Sequence, residues 1–168
     1  MVEMMNSSGQ ILHGSQDGVE ILCYKGDIRH TLCVALDRYL QTLMDKKDLK
    51  GFVVDLTQAE SVDSTNLGIL ARLARVMQKE GLPKVTLISD QPDINELLEA
   101  VGFDRVFDIV ETREGALAKL SEIPVTTSGD VKTTQLLLEA HRALMALNEA
   151  NRVQFQDVVK AFETALED

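Results

Sequence analysis

Short apolar runs of strand length alternate along this chain with segments whose apolar residues recur every three or four positions. "VEILCY" (19–24) reads as a strand, and "TLCVALDRYLQTLMD" (31–45) as a helix with Leu32, Leu36, Tyr39, Leu40 and Leu43 on one stripe. "GFVVDL" (51–56) reads as a buried strand, and the next stripe is Leu67, Leu70, Ala71, Ala74 and Met77, ended by Gly81-Leu82-Pro83. "KVTLIS" (84–89), "QPDINELLEAVG" (91–102), "RVFDIVE" (105–111) and "TREGALAKL" (112–120) repeat the strand-then-helix order. Strands separated by helix-length crossovers pair in parallel and must be covered by those helices. The expected core is therefore α/β with a mostly parallel sheet, over about residues 10–121.

The pattern stops at "SEIPVTTSGD" (121–130), where Pro, Ser, Thr and Gly accumulate, so residues 122–130 read as a linker. Residues 131–168 form a helical extension. Leu137, Leu144 and Leu147 line one helix and Phe155, Val158, Phe162 and Ala165 a second, with a break near Asn148 to Asn151. A capping box from Asn151 to Gln154 would start the second helix of this hairpin, the alternative being a single long helix over the span. The extension packs on the sheet flank, joins two chains into a homodimer, or offers a binding surface; the sequence leaves these open.

Several function classes are disfavoured. Net charge is −10, from 27 acidic and 17 basic residues, and Lys and Arg never cluster on one helical face with aromatics between them, so no nucleic-acid partner is expected. No run reaches the ~18 apolar residues of a membrane span, and "MVEMMNSSGQ" lacks a basic-then-apolar signal, so the expectation is a cytoplasmic protein without a membrane partner. Cys23 and Cys33 sit in apolar context and read as reduced core thiols. His13, His30 and His141 have no metal-ligand spacing, so no metal is expected. No Gly-rich phosphate loop follows a strand, and no cofactor is expected. Ser64 has no G-x-S-x-G elbow and no histidine in supporting sequence context, which argues against triad chemistry and an enzyme.

"SVDSTNLGILAR" (61–72) places Asp63, Ser64 and Thr65 at a helix start. Ser64 reads either as the N-cap or as a hydroxyl carried at a positive helix end, where a phosphate would be stabilised. A second phosphorylation idea is Asp55 at the end of "GFVVD", with Thr86 and Ser89 in a later strand, similar to a receiver domain. The acidic pair and the lysine that such a site needs are missing, leaving at most a degenerate receiver-like domain.

The stretch from "GFVVDLTQAESVDSTNLGILARLARVMQKEG" through "KVTLISDQPDINELLEAVGFDRVFDIVETREGAL" resembles a STAS domain of the anti-sigma factor antagonist type, over roughly residues 18–121. The D-S-T-x-L-G signature at Asp63 to Gly68 and the "LLEAVGFDRVFDIVET" tail carry the likeness. It implies a mixed, mostly parallel sheet flanked by helices, with the C-terminal hairpin appended. It implies, too, that Ser64 is phosphorylated by a serine kinase of the anti-sigma type and dephosphorylated by a PP2C-like phosphatase, and that the unphosphorylated form sequesters an anti-sigma factor. Asn66 stands where the family often has glycine, and Arg29 in "KGDIRH" where it commonly has aspartate on the kinase-facing surface. A partner with a complementary acidic surface follows from that reversal. Asp27, Arg29, Asp63, Thr65, Asn66 and Ile69 are the expected partner-binding residues. The competing function is a phosphorylation-independent scaffold that binds through its C-terminal helices.

Overall fold

The computed structural model of the chain describes residues 9–112 and 120–167. In order, the elements are β1 (Gln10–Gln16), β2 (Val19–Ile28), α1 (Cys33–Met44), β3 (Gly51–Val62), α2 (Ser64–Lys79), β4 (Thr86–Ile88), α3 (Pro92–Ala100), β5 (Asp108–Val110), β6 (Ser121–Glu122), α4 (Asp130–Met145) and α5 (Glu149–Glu167). The helix expected over residues 112–120 lies outside the described residues, apart from its two end positions.

The sheet runs β5-β4-β3-β2-β1-β6. From β2 to β5 every pairing is parallel, as the helical crossovers require, and only the β1–β2 and β1–β6 pairs are antiparallel. Two of the strands extend the sequence reading. β1 pairs with β2 through the two-residue turn Asp17-Gly18, both at positive φ, the conformation a tight hairpin demands. β6 falls within the stretch read as linker: Ser121 and Glu122 lie opposite His13 and Leu12, and Ile123 beyond them is buried.

β3 runs to Val62 rather than stopping near Asp55, because β2 follows it past two register shifts, between Cys23 and Lys25 and between Gly26 and Asp27. Such irregularities bend a strand and re-aim the side chains beyond it. They bring Asp27 opposite Ser61, at the mouth of α2. Asp55 is therefore mid-strand, and its carboxylate accepts from the Thr57 amide and hydroxyl at 2.9 and 2.6 Å.

α2 is buried nearly all round over its first half: Thr65, Asn66, Leu67, Gly68, Ile69, Leu70 and Ala71 are all inside. A helix buried on every side needs cover on both faces, and α2 has the sheet on one and the C-terminal hairpin on the other. The hairpin thus packs in cis. Leu136, Ala140, Ala143 and Leu144 of α4 and Phe155 of α5 join the same apolar cluster as Leu22, Val54 and Leu70. Arg72 on the α2 surface reaches Asp37 of α1 at 3.3 Å and Glu139 of α4 at 3.5 Å, bridging the three helices.

The hairpin turn differs in detail from the expected capping box. Asn148, not Asn151, caps α5, its Oδ1 accepting from the Asn151 amide at 2.8 Å. Asn151 is instead buried, and its side-chain amide donates to the carbonyls of Val101 and Leu144, each at 2.9 Å.

Close approach of α2 and α4 depends on Gly68, where an added Cβ would overlap the carbonyl oxygen and Cβ of Ala140. Gly68→Ala should lower stability by about 1–3 kcal/mol, the usual cost of overpacking. Urea denaturation reads the loss, and faster amide exchange in α4 than in β2 or β3 locates it at the helix seam.

Candidate functional site

The start of α2 is built by Asp63, not by Ser64. Asp63 has extended backbone and is the N-cap; its Oδ1 accepts from the backbone amide and side-chain amide of Asn66, both at 2.9 Å. This satisfies an orphan donor of the first turn. Ser64 is one residue further in, at the first helical position, so its hydroxyl is released from capping.

That hydroxyl has a different partner. Ser64 Oγ lies 2.8 Å from Nε2 of His141 on α4, and the other ring nitrogen, Nδ1, is 2.7 Å from the carbonyl oxygen of Leu137 one turn back. A carbonyl can only accept, so Nδ1 carries the hydrogen, and in the neutral ring Nε2 accepts the Ser64 proton. His141 is 4% exposed, between Phe155 and Phe162 of α5 with ring centroids 5.7 and 5.5 Å away. Ser64 itself is half-buried.

Beside Ser64 a polar cluster forms from the C-terminal ends of β2 and β3. Asp27 accepts from the Ser61 hydroxyl and pairs with Arg29, whose side chain is largely exposed. The Ser61 hydrogen bond first, and Arg29 second, hold the Asp27 carboxyl below the usual carboxylate range. His30 Nδ1 stands 4.0 Å from Asp63 Oδ2. Beneath them, burial, reinforced by the charges of Asp63 and Asp37, pushes the Cys33 thiol up to about 11.

Of the residues expected from sequence, then, Asp27, Arg29, Asp63 and Ser64 come together at one end of the sheet. Thr65, Asn66 and Ile69 are placed differently: all three side chains are buried. Ser64 as N-cap is likewise replaced by Asp63. His141 was missed as part of the site. It is 77 positions from Ser64, inside an apolar helical stripe, and no spacing links the two. A cleft of about 520 Å³ also lies between α2 and α4, but its walls, Ala74, Arg75 and Gln78 from the far half of α2 with Lys84 beyond that helix and Ala146 at the end of α4, do not include Ser64 or Asp63.

The fold and this signature meet in a match to known proteins. The family model described as the STAS domain matches residues 13–116, and the chain belongs to that family. It is similar to a Bordetella bronchiseptica protein that carries the provisional name anti-sigma factor antagonist BtrV, 27% identical over 103 residues, which are 61% of this chain and 86% of that protein. In structure it is similar to an anti-sigma factor antagonist from Mycobacterium paratuberculosis, with a TM-score of 0.52 at 24% identity, covering 64% of this chain and 89% of that one. The anti-sigma factor antagonist SpoIIAA in its unphosphorylated form gives a TM-score of 0.52 at 10% identity over 62% and 89% of the two chains.

Two outcomes follow from the site geometry. Asp63→Ala and Ser64→Ala should each cost about 1 kcal/mol, the first as a lost cap and the second as a lost hydrogen bond to a buried ring. In double-mutant cycles with His141→Leu, which cannot accept from Ser64, only the Ser64 change should show coupling, about 0.5 kcal/mol or more. For Asp27, a depressed folded-state pKa adds stability above the unfolded value and loses it as pH falls through the folded one. Ser61→Ala should raise that pKa more than Arg29→Ala does, as read by carboxyl NMR titration.

Proposed function

We infer that the chain is an anti-sigma factor antagonist switched by phosphorylation of Ser64, binding an anti-sigma factor or serine kinase when unmodified and released, or redirected, by the phosphate. The observation that carries this reading is the Ser64 hydroxyl: it sits at the first position of α2, half-buried, freed from capping by Asp63, within the D-S-T-x-L-G signature of a STAS domain. The names of the similar proteins support the antagonist role. A phosphate there brings about −1.5 to −2 charges and three acceptor oxygens. The positive end of α2 favours it, while Asp27, Asp63 and the net charge of −10 make the surrounding surface more repulsive to an acidic partner. A partner docking over this end loses contact without any change of fold.

In this reading residues 10–121 are the switch unit and Asp27, Arg29 and Asp63 border the docking surface. Residues 131–168 are an appended hairpin reached through 122–130, and a PP2C-like phosphatase resets the switch. The scaffold alternative would put the partner on the hairpin and leave Ser64 out of binding.

Ser64→Ala and Ser64→Asp separate the two. The antagonist reading expects constitutive partner binding by the alanine variant and weak binding by the aspartate variant, with phosphate found by mass spectrometry on the peptide containing "SVDSTNLGILAR" in protein from its own cell. Equal binding by both variants, with no phosphate on Ser64 or Thr65, would leave the scaffold in its place.

A further inference from the structure

Resting on the assignment of Ser64 as phosphoacceptor, we propose that His141 of the C-terminal hairpin takes the Ser64 proton during phosphoryl transfer and then holds the phosphate as an imidazolium. The geometry has the parts that this chemistry needs. The acceptor nitrogen is 2.8 Å from the hydroxyl, within the range for direct proton transfer, and the ring is fixed in orientation by the Leu137 carbonyl on Nδ1. It is the arrangement of a nucleophile, its base and a group that orients the base, assembled from α2 and α4.

The step balances as follows. Ser64 Oγ attacks the terminal phosphorus of a nucleoside triphosphate held by the partner kinase; the Oγ–P bond forms, the bond from phosphorus to the bridging oxygen breaks, and the diphosphate leaves with that electron pair. The proton of Oγ passes to Nε2 of His141. The ring then has two N–H groups, one on Leu137 O and one aimed at the new phosphate.

A buried imidazolium is costly alone. Here the phosphate supplies a charge-assisted hydrogen bond, and the rings of Phe155 and Phe162, with centroids 5.7 and 5.5 Å away, hold the imidazole in place. Charged groups on the elements packed around the ring are engaged elsewhere or exposed: Asp63 caps α2, Glu139 pairs with Arg72, Arg142 pairs with Glu163, and Asp157 and Lys160 face solvent. The hairpin therefore binds the phosphorylated state instead of being expelled by it.

Two measurements on the full chain test this. In the first, phosphoserine is incorporated directly at position 64, without any kinase, and the His141 ring is observed by ¹⁵N NMR. At a pH where the unmodified protein shows one ring proton, the phosphoserine protein should show two, with α4 amide exchange slowed. A ring unchanged by the phosphate, or α4 amides that exchange faster because the hairpin has left, overturns the proposal.

In the second, an extract of the source cell and radiolabelled ATP phosphorylate wild-type chain and His141→Gln, a variant whose amide oxygen still accepts from Ser64 but cannot take its proton. Positioned proton transfer contributes roughly 10²–10⁴-fold, so labelling of the variant should be at least about tenfold slower, and a fall in rate toward acid pH is expected for the wild type but not for the variant. Equal rates and equal pH profiles overturn the proposal. If Ser64 of the wild type takes no label, the phosphoacceptor assignment is what fails, and the phosphoserine measurement still decides the role of His141.

Discussion

The Ser64–His141 contact depends on two helices lying so close that no Cβ fits between them at position 68. Gly68 leaves room for the backbone of α4 at Ala140, and the next residue along α4 is His141. A larger residue at position 68 would lift α4 away and carry the imidazole out of reach of Ser64. The glycine of the D-S-T-x-L-G signature is thus a packing device in this chain, matched to the small Ala140 opposite. Apolar burial of Leu136, Ala143 and Leu144 supplies the attraction, while the missing Cβ sets the distance.

Under the proposed function, close packing also redraws the partner surface. Asn66 and Ile69, expected from the sequence on the docking surface, are buried, and the proposed docking surface is left with the rim formed by Asp27, Arg29 and Asp63. The reversed charge at Arg29 is locally answered by Asp27. A partner sensing that rim meets an ion pair and a carboxylate, rather than an isolated cation.

How much of this was legible follows the physics of each signal. The stripes in α1 and α2 and the runs in β2 and β3 announce the α/β core because periodic burial leaves periodic composition. β1 escaped because "QILHGSQ" has only Ile11 and Gly14 buried, although its Asp17-Gly18 turn could have flagged a hairpin. β6 has two residues, too few for any period. The extent of β3 was hidden since pairing with an irregular partner strand, a tertiary effect, carries it to Val62. Among the site residues, Asp63 and Ser64 were placed at the right helix end, but which of them caps was not fixed by residue type. His141 gave no signal, since its role depends on a contact between segments that nothing in the linear order relates.

Asn151 adds a mechanical consequence. One side-chain amide has two hydrogens, and here they go to Val101 at the end of α3 and Leu144 in the last turn of α4. The closed end of the hairpin is therefore moored to the STAS unit, while the start of α4 at Asp130 and the end of α5 at Glu167 are its open end. Fraying begins at the open end and weakens toward the mooring. His141 lies three residues from Leu144, about one turn from the fixed point, so thermal opening of the hairpin uncovers the rest of α4 before it frees the ring from Ser64.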